Sequence, residues 1–218
     1  RYAMAQEWFD YIQKLWTADS AFDWNGDFYQ GKGVYSLPHP IQPKMPIINA
    51  AGSEEGRVFA MRNADFLFTP VFDFDQAKAT VTDITERASN VNRKVDVLTL
   101  CTVVCRPTQQ EAEDYLNWYS EEQADWEAVD NLMTLQGMHA QSFTPEALAL
   151  YRDRMAAGHG GFPLVGTPDT IADKLEKLSD TGIAGTTLAF VDYAKEFPYF
   201  RQEVLPRLEA KGLRQPVN

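Results

Sequence analysis

The chain has 218 residues, 44% of them hydrophobic and 23% charged, with a formal net charge of −11. That is enough for one ordinary domain with a buried core, and it excludes disorder as the default. The acidic balance argues against nucleic acid and anionic membrane surfaces as partners, and no apolar run approaches the ~20 residues of a membrane helix.

Residues 2–17 carry Ala5, Trp8, Phe9, Ile12, Leu15 and Trp16 at spacings of three and four, which predicts an amphipathic helix. The sequence thus opens at Arg1 inside a helical pattern, which suggests that an N-terminal part is missing. Residues 18–45 hold Gly, Pro, Asp and aromatics without helical period, and read as a long loop with a short hairpin in FDWNGDFYQGKGVY. A βα rhythm follows. Strands are predicted at 46–51, 65–69, 95–105 and 186–190, and helices at 54–63, 75–89, 108–132, 167–181 and 193–210. Thr167, Pro168 and Gly182 supply the N-cap, first-turn proline and terminating glycine of the fourth of these helices. Residues 133–166 break the rhythm, with a short helix near 144–157 and a glycine cluster, GHGG, that reads as a hinge.

Alternating short strands and helices mean a parallel sheet of βα units. Four such strands fit either a small doubly wound domain or half of an eight-stranded (β/α)₈ barrel, which typically needs ~250 residues. Cys101 and Cys105 lie four apart on one strand, ~13 Å at ~3.3 Å per residue, too far for a disulfide. That cysteine usage, with no signal segment at the start of the sequence, suggests a cytoplasmic setting.

In parallel βα folds chemistry collects at the strand C-termini. Those positions here are Asn49, Thr69, Cys105 and Asp192. Asn49 could hydrogen-bond a ring carbonyl or amide, whereas Asp192 reads better as a helix N-cap than as a base. The strand–turn–helix IINAAGSEEGRVFA offers free N–H groups at a helix start, with Gly52 in the turn and Ser53 as N-cap. Glu54 and Glu55 in the same turn would compete with an anion there. Arg1 and Tyr2 add a guanidinium and a phenol. His39, His139 and His159 have no metal-ligand spacing, and no metal is expected. If 133–166 acts as a lid, His139 and His159 become substrate contacts. Trp8, Trp16, Trp118 and Trp126 sit at helical spacings and read as core, while Trp24 could line an apolar pocket. No nucleophile–base pair, and hence no catalytic base, can be named.

The ordered segments RYAMAQEWFDYIQKLWT, FDWNGDFYQGKG, PIINAAGSEEGRVFAMRNADFLFT and FPLVGTPDTIADKLEKLSDTGIAGTTLAFVDY resemble the bacterial-luciferase-like flavin monooxygenases, most of all their pyrimidine and sulfone branch. The resemblance runs from Arg1 to about Gly212. It implies that residues 1–218 are the C-terminal part of a (β/α)₈ TIM barrel, four of its eight strands, and the irregular segment 133–166 is then expected to close over its mouth as a lid. It implies FMN, its phosphate side met by Arg1, Tyr2, Gly52 and Ser53; the chain reads A-G-S where the family has A-G-x-S. It also implies reduced FMN delivered by a flavin reductase, O₂ as co-substrate, a small heterocyclic or organosulfur substrate, and a homo-oligomer. The alkanesulfonate branch carries an Arg and a His on the strand matching Leu98–Val104, and neither is present here. Two alternatives stay open: a flavin- or deazaflavin-linked hydride-transfer enzyme of the same fold, and a non-catalytic flavin-binding module.

Overall fold

The computed structural model describes residues 1–42, 44–50, 53–137 and 144–216. The chain divides into two compact units, residues 1–67 with 87–95, and residues 68–86 with 96 onward.

The first unit opens with α1 (Tyr2–Thr17), followed by the antiparallel hairpin β1 (Phe22–Asn25) and β2 (Gln30–Val34). Glu7 fastens the hairpin to α1. Its carboxylate accepts from the Tyr29 N–H at 2.8 Å, the Phe28 N–H at 2.9 Å and the Trp24 indole at 3.3 Å. Trp24 also lies 5.1 Å from the Tyr11 ring, so it packs on α1 rather than lining a pocket. Next come β3 (Ile48–Asn49), α2 (Glu54–Asn63) and the start of β4 (Phe66–Phe68), with β3 parallel to β4 in the register Ile48↔Phe66 and Asn49↔Leu67. Asp65 closes this βαβ turn: its carboxylate takes the Ile47 N–H at 3.0 Å and an ion pair from Lys44. Among the described residues of the predicted 46–51 strand, only Ile48 and Asn49 are paired.

The second unit is organised on β5 (Asp96–Cys105), the longest strand. Helix α3 (Phe74–Ser89) precedes it. After it come α4 (Gln109–Asn117), a single π-helical turn at Trp118–Glu122, α5 (Trp126–Leu135), α6 (Pro145–Gly158), β6 (Phe162–Gly166), α7 (Pro168–Asp180), β7 (Gly185–Ala189), α8 (Tyr193–Glu203) and α9 (Leu205–Ala210). Strand β5 pairs in parallel with β6 through Cys101–Cys105 and with β7 through Leu98–Thr102. Cys101 and Thr102 stand in register with both, so β6 and β7 occupy opposite edges. Burying both faces of such a strand explains its run of Val, Leu and Cys. The core around it holds Val103, Val104, Leu164, Ile171 and Phe200, all essentially inaccessible.

Several expectations change here. Strand β6 lies inside the stretch expected to be irregular, and it is buried. The GHGG cluster is a packed helix end, not a hinge: a Cβ at Gly158 would sit 2.5 Å from Thr102 Oγ1, and one at Gly160 2.8 Å from the Tyr151 hydroxyl. The single helix expected over 108–132 is broken in two. A Thr108–Glu111 capping box starts α4, the π turn follows, and Asp125 caps α5. The turn sets Tyr119 against Val104, Ala112 and Val165, with its hydroxyl donating to the Ala157 carbonyl at 2.9 Å. Trp8 and Trp118 are half exposed rather than core. Helix α7 has the cap, proline and glycine expected of it: Thr167 accepts from the Thr170 N–H, Pro168 is first, and Gly182 has φ +94°. A Cβ on Gly182 would also meet Val81 at 2.7 Å, so both backbone and packing require glycine there.

Candidate functional site

The site grows from the two helix starts of the first unit. Helices α1 and α2 pack through Phe59, whose ring lies 6.1 Å from Tyr2 and 6.2 Å from Phe9. A reciprocal amide pair, Gln6 to Asn63 at 3.0 Å and Asn63 to Gln6 at 2.6 Å, ties the second turn of α1 to the end of α2. Tyr2, one turn earlier in α1, reaches Ser53 at the start of α2. There the Tyr2 hydroxyl and Ser53 Oγ lie 3.1 Å apart.

Ser53 is also the N-cap of α2, accepting from the Gly56 N–H at 3.2 Å. The remaining N–H groups of the first turn, and the positive end of the helix dipole, surround the same hydroxyl. Arg1 occupies the N-cap position of α1 without a side-chain cap bond, and its guanidinium stands 5.4 Å over the Tyr2 ring. Tyr2 and Ser53, 51 positions apart, thus bring two hydroxyls to the start of α2, with the Arg1 guanidinium beside the Tyr2 ring. Such a set is built to receive an anion.

The carboxylate of Glu54, expected to oppose an anion, is engaged elsewhere. Arg87 grips it with two nitrogens, Nη1 at 3.2 Å and Nη2 beside it. The hydrogen bond from Arg87 holds the Glu54 carboxyl below its usual range. Sequence reading missed Arg87, because nothing local marks a partner 33 positions away. It also missed Arg57, in the first turn of α2, whose Nε is buried with no hydrogen-bond partner. A cation at a helix start opposes the dipole, and that mismatch is a signal the sequence does contain. Arg62 lines, with Tyr2, Gln6, Phe59 and the carboxylates of Glu54 and Glu55, a groove of about 460 Å³ along the two helices, and Glu55 stays exposed there as the sequence predicts.

Asn49, at the C-terminal end of β3, has a buried Oδ1 with no hydrogen-bond partner. A buried carbonyl oxygen without a donor carries a desolvation cost that a bound N–H or O–H group would relieve.

The other expected residues distribute differently. Gly52 and His139 lie outside the described residues. His159 is an exposed residue of the second unit and ends α6 in the left-handed conformation, with φ 54°. Thr69 is buried. Cys101 and Cys105 are buried free thiols, both pushed up to about 11 by burial, so neither supplies a thiolate. Asp192 is the N-cap of α8, accepting from the Lys195 N–H at 3.2 Å, and is not a base. Among the described residues no cluster of His, Cys, Asp or Glu is placed to hold a metal ion, and no helix is long and apolar enough to cross a membrane.

Comparison with known proteins places this geometry in a family. The family model for luciferase-like monooxygenases matches residues 1–185. An FMNH₂-dependent dimethylsulfone monooxygenase of Pseudomonas fluorescens is 30% identical, over 97% of this chain and 60% of its own length. The dimethyl-sulfide monooxygenase of Hyphomicrobium sulfonivorans is 27% identical over 99% of this chain and 56% of its own. The crystal structure of DmoA from Hyphomicrobium sulfonivorans shares the fold at a TM-score of 0.83 and 22% identity, covering 97% of this chain and 56% of that one. The chain therefore spans less than two thirds of the length of these relatives, and its parallel α/β fold is that of part of a luciferase-like TIM barrel. From the match over most of its residues, the chain belongs to the luciferase-like monooxygenase family.

Proposed function

We propose that the protein containing this chain is an FMN-dependent monooxygenase that uses reduced flavin and O₂ to oxygenate a small organic molecule. The observation that carries the reading is the meeting of Tyr2 and Ser53 at 3.1 Å, at the start of two helices. The resemblance assigns both residues to the FMN phosphate, and the donors that meet there suit one. The names of the relatives support reduced FMN as cofactor and organosulfur compounds as the substrate class.

The residues present fit the group. Ser53 Oγ, the free N–H groups of α2, the Tyr2 hydroxyl and the Arg1 guanidinium would hold the phosphate. Asn49, with its orphaned acceptor, would take a donor of the flavin or the substrate. Bound flavin supplies the oxygen activation; the protein's part is to bind, orient and exclude water. Reduced flavin would come from a separate reductase, and the assembly would be a homo-oligomer in the cytoplasm. Arg154 donates to the Val71 and Phe72 carbonyls at 3.3 and 2.6 Å and fixes α6, while β6 is paired along β5. Most of the lid expected at 133–166 is thus packed structure, and residues 138–143 of it lie outside the described residues.

The test is oxygen uptake by the full protein with dimethyl sulfone and enzymatically reduced FMN. Substrate-dependent uptake with an oxygenated product supports the reading. Hydride transfer to substrate without oxygen uptake would replace it with a reductase, and flavin binding with no turnover of any small organosulfur or heterocyclic compound would replace it with a flavin-binding module.

A further inference from the structure

The second unit contains a cavity of about 470 Å³ at the C-terminal end of β5, between α4 and α8, that the reading above leaves unused. Its volume lies in the range of small-molecule sites. Aromatic side chains form its walls. Tyr115 and Trp118 stack at 5.8 Å, and the Arg106 guanidinium stands 4.0 Å over the Tyr115 ring. The π-helical turn begins at Trp118 and leaves that side chain half exposed. Tyr199 of α8 and the buried Cys105 complete the lining.

The polar groups of this cavity are unequally spent. Glu196, the buried acceptor, is saturated: it takes Arg106 at 2.7 Å, the Val191 N–H at 3.1 Å and the Asp192 N–H at 3.4 Å. The other carboxylate, Asp192, is paired with Lys195 at 2.9 Å and caps α8. The donors are in surplus. The Tyr199 hydroxyl and the Trp118 indole N–H have no hydrogen-bond partner among the described residues. Arg106 spends one N–H on the Cys105 carbonyl and one on Glu196, out of five. Lys195 stands exposed at the rim.

Aromatic walls favour a flat ring, and unspent donors beside satisfied acceptors favour an anionic or carbonyl-bearing edge. We propose that this cavity is a second ligand site, distinct from the Tyr2–Ser53 cluster, for a small planar aromatic carboxylate. The ring lies against Trp118, and the carboxylate accepts from Tyr199, Lys195 and the free edge of Arg106.

The probe is 2-naphthoate, titrated calorimetrically into the full protein saturated with FMN, with 2-naphthalenemethanol as the neutral ring of the same shape. Saturable binding of the carboxylate, at least about fivefold tighter than the alcohol, is expected. Trp118→Ala should weaken it about tenfold, and Tyr199→Phe, which removes one oxygen and leaves the packing, by a few-fold. FMN affinity, measured in parallel, should not change in either variant. Absence of saturable binding, equal affinity for the two ring compounds, or unchanged affinity in Tyr199→Phe together with Trp118→Ala would overturn the site. Failure of FMN to bind with naphthoate binding intact would instead count against the flavin reading alone.

Discussion

Tyr2 and Ser53 lie 51 positions apart in sequence and 3.1 Å apart at their hydroxyls. Tyr2 is the first residue of α1 and Ser53 the N-cap of α2, and the packing of Phe59 on Tyr2 and the Gln6–Asn63 pair hold the two helices against each other. If this cluster holds a phosphate, Tyr2→Phe and Ser53→Ala should each weaken FMN binding by roughly five- to tenfold, as expected for one lost hydrogen bond to a charged group. The double variant should lose less than the sum, because the hydroxyls share partners. Calorimetric titration of the four proteins checks this.

The Glu54–Arg87 pair makes a different prediction. Arg87→Gln releases a carboxylate at the start of α2, where it competes with any anion. Affinity for inorganic phosphate or FMN should fall roughly two- to fivefold, and Glu54→Gln in the same background should restore it. Rising salt should shrink both effects, since the pair is exposed.

His159 ends α6 with φ 54°, a conformation that costs a side-chain-bearing residue about 1 kcal/mol relative to glycine. His159→Gly should therefore raise the thermal midpoint by a few degrees. If activity is retained, the imidazole is a helix cap and nothing more. A large loss of activity would return it to the substrate contacts.

Glu7 gives the pH dependence of the hairpin. Desolvation raises its carboxyl, but the N–H groups of Tyr29 and Phe28 and the Trp24 indole outweigh that, and the net shift is below the ordinary 4.5. A carboxyl depressed in the folded state stabilises above its unfolded value and loses that contribution as pH falls through the folded one. Protection of the Phe28 and Tyr29 amides, taken as exchange relative to the intrinsic rate at each pH, should therefore be high at neutral pH and fall as pH drops below 4.5. Glu7→Gln should show low protection at both.

Glu196 is nearly inaccessible and ties Arg106 to the backbone of Val191 and Asp192. Removing one partner of such a pair leaves the other buried and uncompensated. Glu196→Ala should cost about 3 kcal/mol in chemical denaturation, more than Asp192→Ala, which loses only a helix cap.

The βα order, the hairpin and the limits of α7 were legible because each has a local signal: period, turn residues, or a Thr-Pro start with a glycine end. Strand β6 was not. Its five residues, FPLVG, follow a glycine cluster and carry a proline, both of which argue for loop. Pairing along the upper half of β5 overrides them, since Pro163 needs no ladder donor where it stands at an edge. The Trp118 exposure was illegible for a similar reason, because the π turn shifts register by a residue that no periodicity count contains. At the site, Arg1, Tyr2 and Ser53 were legible as helix starts and by resemblance. Arg87 and the orphaned Asn49 and Arg57 atoms depend on tertiary placement, which spacing does not encode.

The central claim is that the Tyr2–Ser53 cluster binds the phosphate of FMN, and the most direct measurement compares FMN with riboflavin, its phosphate-free counterpart, on the wild type and on Ser53→Asp. Aspartate keeps the α2 cap while placing a negative charge where the phosphate would sit. The expected result is FMN at least about tenfold tighter than riboflavin on the wild type, with that preference abolished in Ser53→Asp and riboflavin affinity unchanged. Equal binding of the two flavins by the wild type, or an FMN preference that survives in Ser53→Asp, would contradict it.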